Sequence, residues 1–510
     1  MTKHEAELKS SSPNVGSNYL HSWRLVVVIG TLCLGVLLYG LDANIIGTAI
    51  PSITTDFESL PDIAWYGASY LVTVTAFQPL FGNLYKFFNA KIIYLISLLI
   101  FEVGSIVCAS APRSDILILG RALLGFGASG LLQGALAIIG CVVPLEKIPL
   151  FQGIVISAVG ISICIGPIIG GALTQYTNWR INVPAGVVAI VVVFFFVPLT
   201  GKVDEEARDL PLSQKLRRLD AIGTVLFLGL VCCLLLALTW GGQQYAWNSS
   251  IIIGLFVGFG LMLVCFSLWD LKQGEMALIP WRVFRKRSIS MGAITLFAYG
   301  LVMYVYGYYL PIFFQSVQGT TTTESGVRYM AMMIPQIVTL VVVGAVVSKW
   351  GYYVPYMIAG AIISSIGSGF LITVDLDTST VKWAAYLAVT GIGVGMASQL
   401  PYTALQVVLD AIGLAIGQNL LIAELNRAVP QYTTAVTPVQ VLLAGANGLT
   451  KLSSSPDVLE ALRRAYGQAI RNVLILGLAF ACLALLPSCA MEWLNISQES
   501  KKHLGGEKAT

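Results

Sequence analysis

The chain has 510 residues, 56% apolar and 11% charged, whereas a soluble domain carries about 25% charged residues. That composition excludes an ordinary water-soluble globule, and a net charge of +4 gives no reason to invoke nucleic acid. The apolar residues fall in uncharged runs of about 20, the length that crosses roughly 30 Å of hydrocarbon, so the chain reads as an all-α membrane protein.

Residues 1–22 are polar and read as a disordered tail without a cleavable leader. Spans are then expected at about 25–50, 63–85, 92–111, 115–143, 148–173, 182–200, 221–240, 250–269, 290–314, 327–347, 354–374 and 383–404. A stunted run follows at 411–425 and a last span at about 472–491, nominally fourteen in all. Run 411–425 would be only about 22 Å long as a helix, so this thirteenth crossing would need a thinned bilayer. The stretch 426–470 is the one long polar excursion, and its part 456–466 has the pattern of a short amphipathic helix.

Loop charge sets the orientation. With the N-terminus in the cytoplasm, the short inner loops hold fourteen lysines and arginines; the outer ones hold four, Arg113, Arg180, Arg328 and Lys382. Both termini are then cytoplasmic. The sequon at Asn248 falls outside as a glycosylation candidate, and that at Asn495 falls inside. All nine cysteines lie within apolar runs and read as small apolar filler rather than a disulfide framework.

Within the fifth span, Gly153, Ser157, Gly160, Cys164, Pro167 and Gly171 recur at spacings of four and three and so share one helical face. A face without bulky side chains lets another helix approach closely. Pro167 removes a backbone donor and favours bending there. The face reads either as a tightly packed structural seam or as a seam between moving halves.

Three ionisable residues sit inside spans: Asp42, Glu102 and Arg121. A charge at mid-membrane costs at least about 2.5 kcal/mol, so each needs a partner, a watery cavity or a neutral form. Counted from the outer ends of their spans, the three depths agree within roughly 5 Å. Arg121 can therefore pair with either acid, leaving the other as a proton site; a static ion pair tying the early spans together is the alternative. Tyr299, Met303 and Tyr306 share a face suited to a flat apolar ligand or to the lipid interface. Gln78, Gln133, Gln399 and Gln406 are uncharged polar residues in or near spans, for lining a cavity or for bonding between helices. No nucleotide loop, metal cluster or catalytic triad is apparent, so the chain reads as no enzyme, without a cofactor.

Several of these stretches resemble one family. Gly160, Gly166, Pro167, Gly170 and Gly171 fit the fifth-span G-x5-G-P-x-x-G-G signature of major facilitator superfamily exporters, an antiporter hinge. Leu41-Asp42-Ala43-Asn44 through Pro51 resembles the first-span pattern of fourteen-span drug:proton antiporters, and Arg121 with Gly125, Gly127 and Ala128 matches their fourth-span pattern. In that family the arginine is implicated in proton transfer. Gly82, Lys86 and Lys91 resemble a gate loop, although Tyr85 stands where Asp is usual and Asn89 where Gly is usual. Near 180 and after 410 the chain is shorter than the family pattern.

The resemblance covers about residues 24–495 and is nearest to fungal pumps for toxins and other secondary metabolites. It implies a major facilitator fold: a bundle over 23–200, a linker and two extra spans over 201–270, and a second bundle over 271–425. An outer loop at 426–470, a last span at 471–495 and a tail at 496–510 complete it. It implies proton-coupled efflux of a lipophilic small molecule, metabolite or drug, across the plasma membrane, by a monomer whose partners are lipid, substrate and protons. The rivals are an importer, such as a siderophore or amino-acid carrier, and a non-transporting or sensor relative.

Overall fold

A computed structural model of the chain describes residues 23–57, 62–176, 211–242, 244–279, 282, 285–397, 404–445, 448–453, 455–493 and 495. The expected tails 1–22 and 496–510, the sixth span at 182–200, the shortened stretch at 179–184 and Gln399 lie outside the described residues.

Thirteen helices of at least eighteen residues stand among the described residues. They are α1 (Trp23–Phe57), α2 (Ile63–Phe87), α3 (Ala90–Ser110), α4 (Ser114–Val142), α5 (Ile148–Tyr176), α6 (Ala221–Trp240) and α7 (Ser250–Gln273), then α8 (Arg287–Ser316), α9 (Thr322–Trp350), α10 (Val354–Leu371), α11 (Thr380–Ala397), α12 (Ala404–Tyr432) and α13 (Pro456–Cys489). Ten helical stretches among the described residues are long and apolar enough to cross a membrane; α2, α11 and α12 fall below that composition.

Local chemistry explains the boundaries. The Asn89 side chain accepts from the backbone N–H groups of Lys91 and Ile92 and so caps α3. Along α3, Ile92, Ile96, Leu99, Val103 and Ile106 are exposed at a three-to-four spacing, a stripe for lipid, while Ser97, Phe101 and Glu102 turn inward. The apolar run 411–425 is short, but the helix that carries it has 29 residues, about 43 Å. The polar excursion is likewise narrower than 426–470: α12 continues to Tyr432, and the amphipathic segment at 456–466 is the first part of a continuous 34-residue helix, α13.

Two bundles emerge from the packing. In the first, α1 packs on α5, α2 on α4 and α3 on α4; in the second, α8 packs on α12 and α13, α9 on α11 and α10 on α11. Two long contacts join the bundles, α5 with α9 and α2 with α12. The hairpin α6–α7 attaches to the first bundle through α2, where Val72 is buried with Leu230, Val231 and Leu235, and α6 also touches α12.

Candidate functional site

Arg121 is 3% exposed on α4 and is held by three groups. Its Nη1 donates to the Asp42 carboxylate on α1 and, at 3.4 Å, to the Asp42 carbonyl. Its Nε donates to the Tyr66 carbonyl on α2 at 2.9 Å, and its guanidinium carbon lies 4.6 Å from the centre of the Tyr70 ring. Tyr70 is fixed in turn, its hydroxyl donating to the Tyr39 carbonyl at 3.0 Å. One guanidinium thus ties α1, α2 and α4 together. Removing one partner of such a buried pair costs about 3–5 kcal/mol, because the other charge is left uncompensated.

Glu102 lies outside this pair. It is 5% exposed on α3, and neither carboxylate oxygen has a hydrogen-bond partner. The Asp42 carboxylate is close enough to act on it electrostatically. The structure therefore brings together two of the three residues expected at one depth and leaves the third buried beside them. Depth alone could not distinguish the acids; helix rotation does, because Arg121 turns toward α1 and α2. Tyr66, Tyr70 and Tyr39 were not singled out in the sequence. Their signal was the four-residue spacing of Tyr66 and Tyr70, which puts them on one face of α2.

The fifth-span seam divides by direction. Gly160 looks across to α9, where an added Cβ would stand 3.0 Å from Ile337 Cγ1, and Cys164 is buried in the core of the second bundle. Toward the start of the same helix, the Leu150 N–H donates to Ser348 Oγ at the end of α9, 3.2 Å. Gly166 faces the other way, to Asn44 on α1, and the Ser162 hydroxyl contacts the Leu37 carbonyl at 3.0 Å. The helix runs on through Pro167, Gly170 and Gly171 to Tyr176. The helix therefore touches both bundles, its Gly160–Cys164 face the second and its Ser162–Gly166 face the first.

At the gate-loop positions, the Tyr85 hydroxyl donates to the Gly130 carbonyl at 2.9 Å, and Asn89 is the cap already described. The two departures from the family pattern thus hold α2 against α4 and start α3. Gly82 faces the Gln133 amide, Lys86 lies in the last turn of α2 with its ammonium 5.5 Å from the Phe87 ring centre, and Lys91 is buried in the first turn of α3. Gln78 is fully buried.

Tyr299 and Tyr306 are neither lipid-facing nor interfacial. Both are buried in the second bundle, Tyr299 sharing a hydrogen bond with Ser364 of α10 at 3.0 Å and Tyr306 lying against Gly477 of α13. Asn248 is exposed in the turn joining α6 to α7. None of the nine cysteines forms a disulfide.

Two helical bundles meeting along paired seams, the first holding a buried ion pair, are the architecture of a two-bundle membrane transporter. Residues 32–429 match the Major Facilitator Superfamily, and the chain belongs to that family. It is 38% identical over 504 residues to the MFS-type efflux pump MFS1 of Arthroderma benhamiae, covering 94% of this chain and 93% of that one. It is 38% identical to the efflux pump roqT of Penicillium rubens, covering 96% of each chain. With the efflux pump aflT of Aspergillus parasiticus the identity is 35%, over 94% of this chain and 98% of the other. Among solved structures, the human organic anion transporter MFSD10 (TETRAN) has the same fold, with a TM-score of 0.54 at 12% identity over 92% of this chain and 100% of that one.

Proposed function

We propose that this chain exports a lipophilic small molecule, a fungal toxin or other secondary metabolite, across the plasma membrane in exchange for protons. The observation that carries the coupling is the buried Asp42–Arg121 pair with Glu102 buried and unpartnered beside it. Glu102 is the group that takes up and releases the proton, and its protonation would bias whether Arg121 stays with Asp42 or turns to Glu102. The names of the fungal relatives, all efflux pumps, support outward transport. The contacts of α5 with α9 and of α2 with α12 are where two bundles would rock against each other to open the path to either side. The termini are cytoplasmic and Asn248 faces outside.

The test is expression in yeast stripped of its own pumps. Accumulation of lipophilic dyes should fall on expression and recover when a protonophore is added. Unchanged accumulation would remove the exporter reading, and export that ignores the protonophore would remove the proton. A mobility shift on glycosidase treatment that disappears in Asn248→Gln would fix the outer side.

A further inference from the structure

The first bundle contains a second group of buried polar atoms that the ion pair does not use. Thr75, Gln78 and Gly82 fall on one stripe of α2, at i, i+3 and i+7. Thr75 and Gln78 are both 0% exposed. The Thr75 hydroxyl and both polar atoms of the Gln78 amide lack a hydrogen-bond partner, and so does the carbonyl oxygen of Gln133 on α4. Pro79 adds to this group: it has no N–H, so the Thr75 carbonyl loses its usual helical donor. Gly82, one turn beyond Gln78, faces the Gln133 amide: an added Cβ would make ordinary van der Waals contact with its Nε2 at 3.5 Å.

Buried polar groups in native proteins are almost always paired, and each exception calls for an explanation. Here the unpaired atoms share one helix stripe and its facing residue, in a helix that also contacts the second bundle through α12. In hydrocarbon no water repays the cost. A tight structural contact would have paired the amide with a neighbour. We propose that Thr75, Gln78 and Gln133 form a recognition site for an uncharged, oxygen-bearing substrate, the amides donating to its carbonyl or hydroxyl oxygens and accepting from its hydroxyl hydrogens. None of the three residues carries a charge, so the site suits neutral ligands rather than cations. This rests on the reading of the chain as a small-molecule transporter and names the chemistry of its substrate. A site built to bond an oxygen rejects the analogue that lacks it far more strongly than a hydrophobic pocket rejects a change of shape.

The experiment uses the purified full chain in lipid nanodiscs and two flat probes of similar shape, 1,8-dihydroxyanthraquinone and anthracene, with binding followed by equilibrium dialysis. The native chain should bind the oxygenated probe at least about tenfold more tightly. Gln78→Leu and Gln133→Leu should each remove most of that preference, leave anthracene binding within about twofold, and leave the unliganded melting temperature unchanged or raised, because leucine replaces an unpaired amide. Equal affinity of the native chain for both probes would overturn the site. So would a lowered melting temperature with the preference intact, which would show the amide to be structurally bonded. Thr75→Val, a smaller change, is read the same way should Gln78→Leu not reach the membrane. Dye export is measured separately: a chain that binds with this preference but exports nothing leaves the site standing and removes the exporter reading.

Discussion

The two bundles are packed by the same device and differ in what they bury. In the first, Gly127 lets α4 close on α3, where a Cβ would stand 2.8 Å from the Ser97 carbonyl oxygen; in the second, Gly393 lets α11 close on α10, 2.8 Å from that of Gly360. Gly125 meets the Tyr70 carbonyl, and Gly391 the Met332 carbonyl; Gly104 abuts Leu124, and Gly367 abuts Thr390. In this register Arg121, four residues before Gly125, corresponds to Leu387, four before Gly391, and Glu102 corresponds to Ser365. Leu387 is fully buried in an apolar core, and the Ser365 hydroxyl donates to the Ala361 carbonyl of its own helix at 2.8 Å. The close-packed glycine scaffold is therefore shared, while among the described residues the buried ion pair with its adjacent acid is on one side only. The glycine packing is made without a charge in the second bundle, so what the charge adds in the first is a question for variants of both.

The largest expected effect tests the shared scaffold. Gly127→Val and Gly393→Val each drive a branched side chain into the backbone of the next helix and should each cost ~4 kcal/mol or more, a severe loss of folded protein by size-exclusion chromatography. Loss in one bundle only would break the equivalence. The second effect separates the bundles. Arg121→Ala leaves Asp42 buried and unpaired, costs about 3–5 kcal/mol and should abolish proton-driven dye export. Leu387→Ala should cost a similar ~2–5 kcal/mol as a cavity, yet retain export per folded molecule. The double variant Asp42→Asn/Arg121→Gln removes both charges; it should recover melting temperature without recovering export. Export retained in Arg121→Ala would reduce the pair to a structural tie.

Much of this arrangement was legible in the sequence, for particular reasons. Apolar runs place helices because hydrocarbon length is fixed, and equal depth of Asp42 and Arg121 was enough to suggest their pairing. Depth gives no rotation, which is why the sequence left either acid open as the partner. Hydropathy under-read α12 because Asp410 precedes the apolar run 411–425 and Asn426 and Arg427 follow it; within the helix Glu424 is bonded by the Asn472 amide of α13 at 2.7 Å, so a polar residue there joins helices instead of ending one. The same measure cut α13 short, since an amphipathic turn and an apolar span are one helix once a neighbour covers the first. Tyr299 and Tyr306 share a face in either reading, and only the position of α10 and α13 decides that the face is core.

A smaller effect concerns the second acid. Glu102→Gln keeps the shape and has no hydrogen bond to lose, so its melting temperature should match the native chain. If substrate leaves as protons enter, native export should rise as the outside is acidified, and Glu102→Gln should flatten that dependence. The matching change Ser365→Ala removes only a hydroxyl bonded within its own helix and should leave the pH profile untouched. A Glu102→Gln profile that still follows outside pH would assign the proton elsewhere.

The smallest effect contrasts two glycines of one helix. At Gly160 an added methyl meets Ile337 of the opposite bundle, at 3.0 Å from Cγ1 and 3.1 Å from Cδ1, atoms of a side chain that can move aside. At Gly166 it meets Cβ of Asn44 at 2.8 Å within the same bundle, where the contacted atom is fixed to its backbone. Gly160→Ala should therefore fold normally but slow export, by no more than about tenfold, if the contact it disturbs is one that rocking bundles remake in each cycle. Gly166→Ala should instead lower the melting temperature, with turnover of the folded fraction near native. If Gly160→Ala lowered stability as much as Gly166→Ala and left turnover unchanged, the α5–α9 contact would be a fixed joint, and the rocking surface would have to be sought at α2 and α12.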